Sequence, residues 1–162
     1  MKVKDVMKTD VGFCSTEDNL KKTAETMRYR DCGVIPIVDE ENRVVGMLTD
    51  RDICLAVAAR IRKASDVKNK ELMSGGVTVC SAEDKLEDAL KKMRKHQIKR
   101  LAVVAAGGEL DGILSVADIL LSARKVNHLK KKVYATLEKI AKPRPIVLRE
   151  VSADKESEKA QK

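Results

Sequence analysis

The sequence predicts a mixed α/β (α+β) fold in which two βαββα repeats pack as a pseudo-twofold pair, followed by a C-terminal helical extension. Two observations carry this expectation. The 162-residue chain aligns with itself, without a gap, at an offset of 66 residues. Within each copy, short apolar runs alternate with stretches of helical spacing. Val11, Cys14, Ser15, Glu17, Asp18 and Leu20 fall on Val77, Cys80, Ser81, Glu83, Asp84 and Leu86; Met27 and Arg28 fall on Met93 and Arg94. Gly46, Leu48, Asp52 and Ile53 likewise fall on Gly112, Leu114, Asp118 and Ile119. A unit of roughly 55–60 residues is marginal alone. The copies are therefore expected to pack face to face on one shared core, with equivalent clefts on either side of the axis.

The elements follow in order. Residues 11–14 and 77–80 are short strands that enter Ser15-x-x-Asp18 and Ser81-x-x-Asp84. These are expected to cap the first helix of each copy, the hydroxyl accepting from a free first-turn N–H and the acid meeting the positive helix end. Leu20, Ala24 and Met27, and Leu86, Leu90 and Met93, continue at helical spacing. The runs Val34–Val38 and Leu101–Val104 read as strands, with chain reversals at Asp39-Glu40-Glu41-Asn42 and Gly107-Gly108. Pro36 lacks an N–H donor, which places its strand at an edge or interrupts it there. A third strand ends at Thr49 or Ser115 and runs directly into a helix. Ile119, Val126, Val133 and Ile140 recur every seven residues beside Leu129 and Leu137, so the last repeat helix is expected to continue to about Ala141, where Pro143 and Pro145 stop it. Its apolar stripe, opposite Lys130-Lys131-Lys132, reads as a packing or dimer surface, and Ile146-Val147-Leu148 as a short docking strand. The organisation is thus residues 1–66 and 67–123 as the two repeats, 124–151 as a basic amphipathic helix with a short tail segment, and 152–162 as a disordered end.

Composition narrows the function. No apolar run approaches the ~18–20 residues of a membrane-spanning helix, and Met1-Lys2-Val3-Lys4-Asp5 lacks the apolar stretch of a signal peptide. Cys14, Cys32, Cys54 and Cys80 form no CxxC pair, and only His96 and His128 could join them, so they read as reduced thiols of a cytoplasmic protein with no metal-ligand set. Residues 1–122 hold 21 Lys/Arg against 20 Asp/Glu, while residues 123–162 hold 12 against 5; +7 of the net +8 belongs to the C-terminal part. Three aromatics (Phe13, Tyr29, Tyr134) are too few for a base-stacking platform. Neither a P-loop nor a G-x-G-x-x-G pattern is present and the carboxylates are not paired, so no catalytic residue is assigned and no enzyme is expected.

The segments Gly46-Met47-Leu48-Thr49-Asp50-Arg51-Asp52 and Gly112-Ile113-Leu114-Ser115-Val116-Ala117-Asp118 carry most chemistry. A glycine lets the backbone pass close to another surface. A hydroxyl before a helix sits where free N–H groups favour a phosphate, and an aspartate three residues on can accept both hydroxyls of a ribose diol. The plainer alternative makes Thr49 and Ser115 N-caps only. With the strand Val34-Ile35-Pro36-Ile37-Val38-Asp39, these residues make about residues 3–123 resemble a tandem pair of cystathionine-beta-synthase (CBS) domains, a Bateman module. The resemblance implies a regulatory ligand-binding module for an adenine nucleotide (AMP, ADP or ATP), with S-adenosylmethionine ranked behind them and an accompanying metal left open.

It further implies that the base lies against Asp10, Val11 and Gly12 with Cys32, Gly33 and Val34 in the first copy, where Pro36 also belongs to the site, and against Gly76, Val77 and Thr78 with Ile98, Lys99 and Arg100 in the second. Gly12 and Gly33 leave room for a planar ring; Lys99 and Arg100 face phosphates in similar domains, where Arg binds bidentately. Arg51 has a similar claim, but its counterpart is Ala117, and Ala102 replaces the family's proline at the position of Pro36. Thr49, Asp52, Ser115 and Asp118 complete the set. A homodimer is expected, acting on a protein target that the sequence does not name. The competing readings are nucleic-acid binding through residues 124–149, which hold nine Lys/Arg against one acid, and a structural dimer adaptor with empty clefts.

Overall fold

The alternation of apolar runs becomes two copies of one topology. The computed structural model describes residues 1–60, 62–73, 76–123 and 126–143. The first repeat holds β1 (Cys14–Ser15), α1 (Leu20–Arg30), β2 (Val34–Val38), β3 (Val44–Thr49) and α2 (Asp50–Arg60). The second holds β4 (Val79–Ser81), α3 (Leu86–His96), β5 (Arg100–Val104), β6 (Leu110–Ser115) and α4 (Val116–Ser122), and α5 (Asn127–Ala141) follows. Each repeat makes its own three-stranded sheet, order β1-β2-β3 or β4-β5-β6, parallel then antiparallel. The reversals sit at equivalent positions, Asn42 (φ 60°) and Gly108 (φ 95°), a conformation that suits these two residue types. The two hairpin tips then join across the axis: the Val44 N–H donates to Gly108 O at 2.9 Å and the Leu110 N–H to Asn42 O at 3.1 Å.

Pro36 does not mark an edge strand. It lies in the central strand, opposite Met47 of β3. Its missing donor is accommodated on the other side, where β1 begins pairing only at Cys14 opposite Ile37. In the second repeat the same position is Ala102, and there the pairing starts one residue earlier, at Val79 opposite Ala102. One N–H group accounts for the different lengths of β1 and β4.

The serines do not cap the helices either. Ser15 and Asp18 close a turn one step upstream, with the Ser15 N–H donating to Asp18 Oδ2 at 2.8 Å and the Asp18 N–H to Ser15 Oγ at 3.2 Å. Ser81 repeats the first bond with Asp84 at 3.2 Å. The first-turn N–H groups have better partners: Leu20 donates to Val67 O at 2.9 Å, and Leu86 to Met1 O at 3.3 Å. Asn19 supplies the side-chain cap of α1, its Oδ1 accepting from Lys22 N–H at 3.0 Å.

Those carbonyls belong to two segments that lie across the repeats. The 3-10 turn Val3–Asp5 closes the second repeat, with Val3 N–H donating to Asp84 O and Lys4 N–H to Ala82 O, both at 2.9 Å. Its equivalent, Asn69–Glu71, closes the first, with Asn69 N–H donating to Asp18 O at 2.9 Å. Lys2 (2.6 Å) and Lys4 (2.7 Å) grip Glu83, as Lys68 and Lys70 grip Glu17, and these paired ammonium hydrogen bonds hold both glutamates at a pKa of about 2. Beneath the clamps the plugs differ. Asn69 is fully buried, accepting from Thr23 Oγ1 and donating to Ser15 O, both at 2.8 Å. The matching pair, Val3 and Ala89, is apolar and equally buried.

The expected single core is two cores. Ile35, Ile37 and Leu48 pack with Leu20, Met27 and Val67 in the first repeat; Leu101, Val103 and Leu114 pack with Leu90, Met93 and Val3 in the second. The period of two in a strand explains the division, because alternate residues point to opposite sheet faces. Val34, Val38 and Ala102, on the other faces, are buried outside both clusters.

The last repeat helix is not continuous to Ala141. α4 ends at Ser122, and α5 starts afresh after Val126, which packs with Leu129 and Val133 against the second core. The stripe is thus a packing surface within the chain, pinned by Lys132 to Glu87 at 2.7 Å. The readings placed on Pro145, Ile146–Leu148 and residues 152–162 lie outside the described residues. Among the described residues, no helix is long and apolar enough to cross a membrane.

Candidate functional site

A cleft of about 640 Å³ opens between the repeats. One wall is the β3–α2 corner of the first repeat, Gly46 to Asp52, with Gly33 and Val34 beside it. The other is built by the second repeat from Gly76, Val77 and Thr78 and from Gln97 to Arg100 at the start of β5. Leu72, Met73 and Ile140 complete the lining.

At the corner, Thr49 and Asp52 form a reciprocal pair. The Thr49 N–H (2.9 Å) and hydroxyl (2.7 Å) both donate to Asp52 Oδ2, and the Asp52 N–H returns a bond to Thr49 Oγ1 at 3.2 Å. Asp52 Oδ1 carries no hydrogen bond among the described residues, and the side chain is exposed. The N-cap role and a free carboxylate oxygen therefore coexist in one residue pair. Arg51, Lys99 and Arg100 bring three cations to the same cleft against the carboxylates of Asp50 and Asp52.

Eleven of the eighteen sequence-derived candidates line this cleft: Gly33, Val34, Thr49, Arg51, Asp52, Gly76, Val77, Thr78, Ile98, Lys99 and Arg100. The packing joins them differently from the sequence expectation. The hydroxyl–aspartate pair of the first repeat meets the strand starts of the second, because the twofold arrangement sets the β3–α2 corner of one beside β4 and β5 of the other. The expected division of Arg51 from Lys99 and Arg100 between two clefts is therefore replaced by their union in one.

The remaining candidates lie elsewhere. Asp10 pairs with Arg30 at 2.9 Å, and Gly12 offers no room for a ring, since a Cβ there would stand 3.0 Å from Arg30 Cγ. The space over Gly33 is likewise taken by the Asp50 carboxylate, 3.0 Å from the Cβ position. The Cys32 thiol donates to Val34 O at 3.5 Å, Val11 is half-buried, and Pro36 is buried within β2. Ser115 and Asp118 repeat the reciprocal pair on the opposite corner. There, however, Lys8 forms a two-bond bridge with Ile113, 2.9 Å each way, and its ammonium stands 3.7 Å from Asp118 Oδ1. Only 15% of the Asp118 side chain is exposed. The repeat alignment missed Asp50, whose counterpart is Val116, and Met73, whose counterpart is Met7; the unmatched acid at position 50 and the matched methionines were the available signals.

The profile of the CBS domain matches twice, over residues 3–59 and 69–125, the same 66-residue offset at both ends. The chain belongs to the CBS domain family. The two matches begin at the exchanged turns, Val3 and Asn69, and together form a tandem pair. The pair is 37% identical over 124 residues to the CBS domain-containing protein YhcV of Bacillus subtilis, covering 74% of this chain and 84% of that one. It is 31% identical over 116 residues to hypoxic response protein 1 of Mycobacterium tuberculosis, covering 72% and 80%. The crystal structure of hypoxic response protein I with two coordinated zinc ions matches with a TM-score of 0.68 at 30% identity, over 75% of this chain and 98% of that one. Two further structures share the fold: the CBS domain pair of MJ0100 in complex with 5'-methylthioadenosine and S-adenosyl-L-methionine (TM-score 0.68, 24% identity, 77% and 98% covered), and CBSX2 in complex with AMP (0.66, 23%, 78% and 98%). Among the described residues of this CBS pair, no three His, Cys, Asp or Glu side chains gather as a metal-binding group.

Proposed function

We propose that this CBS pair is a non-enzymatic regulatory module that binds an adenine nucleotide in the cleft between Thr49–Asp52 and Lys99–Arg100. The observation that carries the reading is the convergence of Arg51, Lys99 and Arg100 with a hydroxyl–carboxylate pair in one cavity. Asp52 offers its unbonded oxygen to a ribose hydroxyl, the three cations suit phosphate oxygens, and Val77, Ile98 and Leu72 give a flat base apolar walls. The excess of cations over the carboxylates of Asp50 and Asp52 favours AMP, ADP or ATP over cationic S-adenosylmethionine or uncharged methylthioadenosine. The ligands named for the MJ0100 pair and CBSX2 support an adenosine-type ligand.

The module acts as a homodimer whose geometry answers to the ligand, which requires the ligand to prefer one arrangement. Leu55 on α2 and its equivalent Leu121 on α4 support a dimer face, both more than half exposed at 53% and 58%. Calorimetry with AMP, ADP, ATP and S-adenosylmethionine tests the reading. Asp52→Ala should weaken nucleotide binding about tenfold or more, through loss of charge-assisted hydrogen bonds, while Asp118→Ala leaves it within about twofold. No binding of any of the four at millimolar concentration would overturn it.

One observation favours a second reading, nucleic-acid binding. Lys91, Arg94 and Lys95 of α3 face Lys139 of α5 and Lys142 just past its end across a groove that Glu138 also lines.

A further inference from the structure

We propose that α5 is a working wall of the nucleotide cleft: Ile140 contacts the bound base, and Gln97 couples occupancy of the cleft to the seating of the helix's last turn. This rests on the nucleotide reading above and adds to it an element outside the CBS profile, which ends at residue 125. Ile140 packs against the second core and also lines the cleft, a double position it shares with Ile98. An aromatic base entering beside Ile98 meets a second apolar side chain that the repeats themselves do not provide.

Gln97 supplies the mechanical link. It occupies the left-handed position (φ 51°) that turns the chain from α3 towards Ile98, Lys99 and Arg100. From this corner its Nε2 donates to Lys139 O at 2.9 Å and to Lys142 O at 3.0 Å. Lys139 O also accepts the Lys142 N–H at 3.3 Å, so the Gln97 amide adds a second bond there and reaches Lys142 O just past the helix end. One amide therefore ties the cation-bearing rim of the cleft to the end of α5, the point from which the chain continues beyond Pro143. A ligand that holds the Gln97–Arg100 corner and presses on Ile140 stabilises that last turn. By reciprocity, whatever loosens the turn weakens the ligand.

Two measurements on the full chain test this: calorimetry with AMP on wild type, Ile140→Ala, Ile140→Trp and Gln97→Ala, and amide hydrogen exchange of residues 138–142 with and without AMP. Ile140→Ala should raise Kd about fivefold, and Ile140→Trp should weaken binding further by crowding the base's place beside Ile98. AMP should slow exchange at residues 138–142 in wild type, and Gln97→Ala should remove most of that slowing. Far-UV circular dichroism checks folding, and if the Trp variant unfolds, the Ala variant decides. Unchanged affinity in the folded Ile140 variants, or exchange at 138–142 indifferent to AMP while wild type binds it, overturns the role of α5 alone. A wild-type chain that binds no adenine nucleotide overturns the nucleotide reading and this inference with it.

Discussion

Gly112 and Gly46 occupy equivalent positions in the two repeats, yet alanine should be costly at one and harmless at the other. A Cβ on Gly112 would stand 2.6 Å from the backbone oxygen of Lys8, closer than real contacts allow. The obstacle is main chain fixed by two hydrogen bonds to Ile113, at 2.9 Å each, so it cannot rotate aside and the bridge must open. Two backbone hydrogen bonds contribute about 2 kcal/mol together. Replacing glycine returns about 0.4–1 kcal/mol by restricting the unfolded chain. The net loss is about 1–1.5 kcal/mol, which for a chain of this size lowers Tm by about 3–5 °C. At Gly46 the nearest atoms, 3.1–3.2 Å away, all belong to the flexible Met73 side chain, so Gly46→Ala should leave Tm within about 2 °C. Thermal denaturation followed by circular dichroism measures both, and amide exchange at Ile113 reports whether the bridge has opened. Equal Tm values for the two variants, with Ile113 still protected in Gly112→Ala, would refute the idea that the Lys8 segment is held against β6.

Three further expectations concern charge and thiols. Glu17 and Glu83, held at about 2 by their lysine pairs, stay ionised after the same groups in the unfolded chain, near 4.5, take up protons. Their contribution is complete above pH ~4.5 and disappears as pH falls towards 2, so the double variant Glu17→Gln/Glu83→Gln should flatten the acid limb of the urea midpoint between pH 5 and 2.5; superimposable limbs would contradict the clamp. In alkylation at pH 8 followed by peptide mass analysis, exposed Cys54 should react first, whereas Cys80, buried with its thiol pushed up to about 11, should react only on unfolding. Equal labelling rates would count against that ranking. For nucleic acid, removing Lys91, Lys95 and Lys139 together should weaken binding to single-stranded RNA and reduce the log–log salt slope by up to about 2. RNA binding unchanged by the triple variant would remove the α3–α5 groove as its seat.

The repeat made the topology legible because its spacing is kept by residues with local jobs: the hairpin glycine at 46 and 112, the Thr49 and Ser115 corners, and the αL positions Asp31 and Gln97. Features that depend on the other repeat were not legible. Nothing in the local pattern of Met1 or Val67 says that their carbonyls accept from Leu86 and Leu20, so the capping role fell to the nearest serines. The same blindness paired Thr49 and Asp52 with the strands of their own repeat. Periodicity also carried the last helix too far, because residues 119, 126, 133 and 140 keep their seven-residue spacing across the break between Ser122 and Asn127. The substitution of Asn69 and Thr23 for Val3 and Ala89 could have been noticed as a matched change at one offset, a polar couple replacing an apolar one.

The exchange of the two turns imposes an order on assembly. The first repeat is sealed by Asn69–Glu71, made directly after its own α2, and can close while the rest is still being synthesised. The second needs Val3, made some eighty residues before β4 and its helices, so that short stretch must wait unoccupied until the far half of the chain emerges. A bulky fusion attached ahead of Met1 would therefore do its first damage at the opposite end of the polypeptide, in the half that carries Lys99 and Arg100.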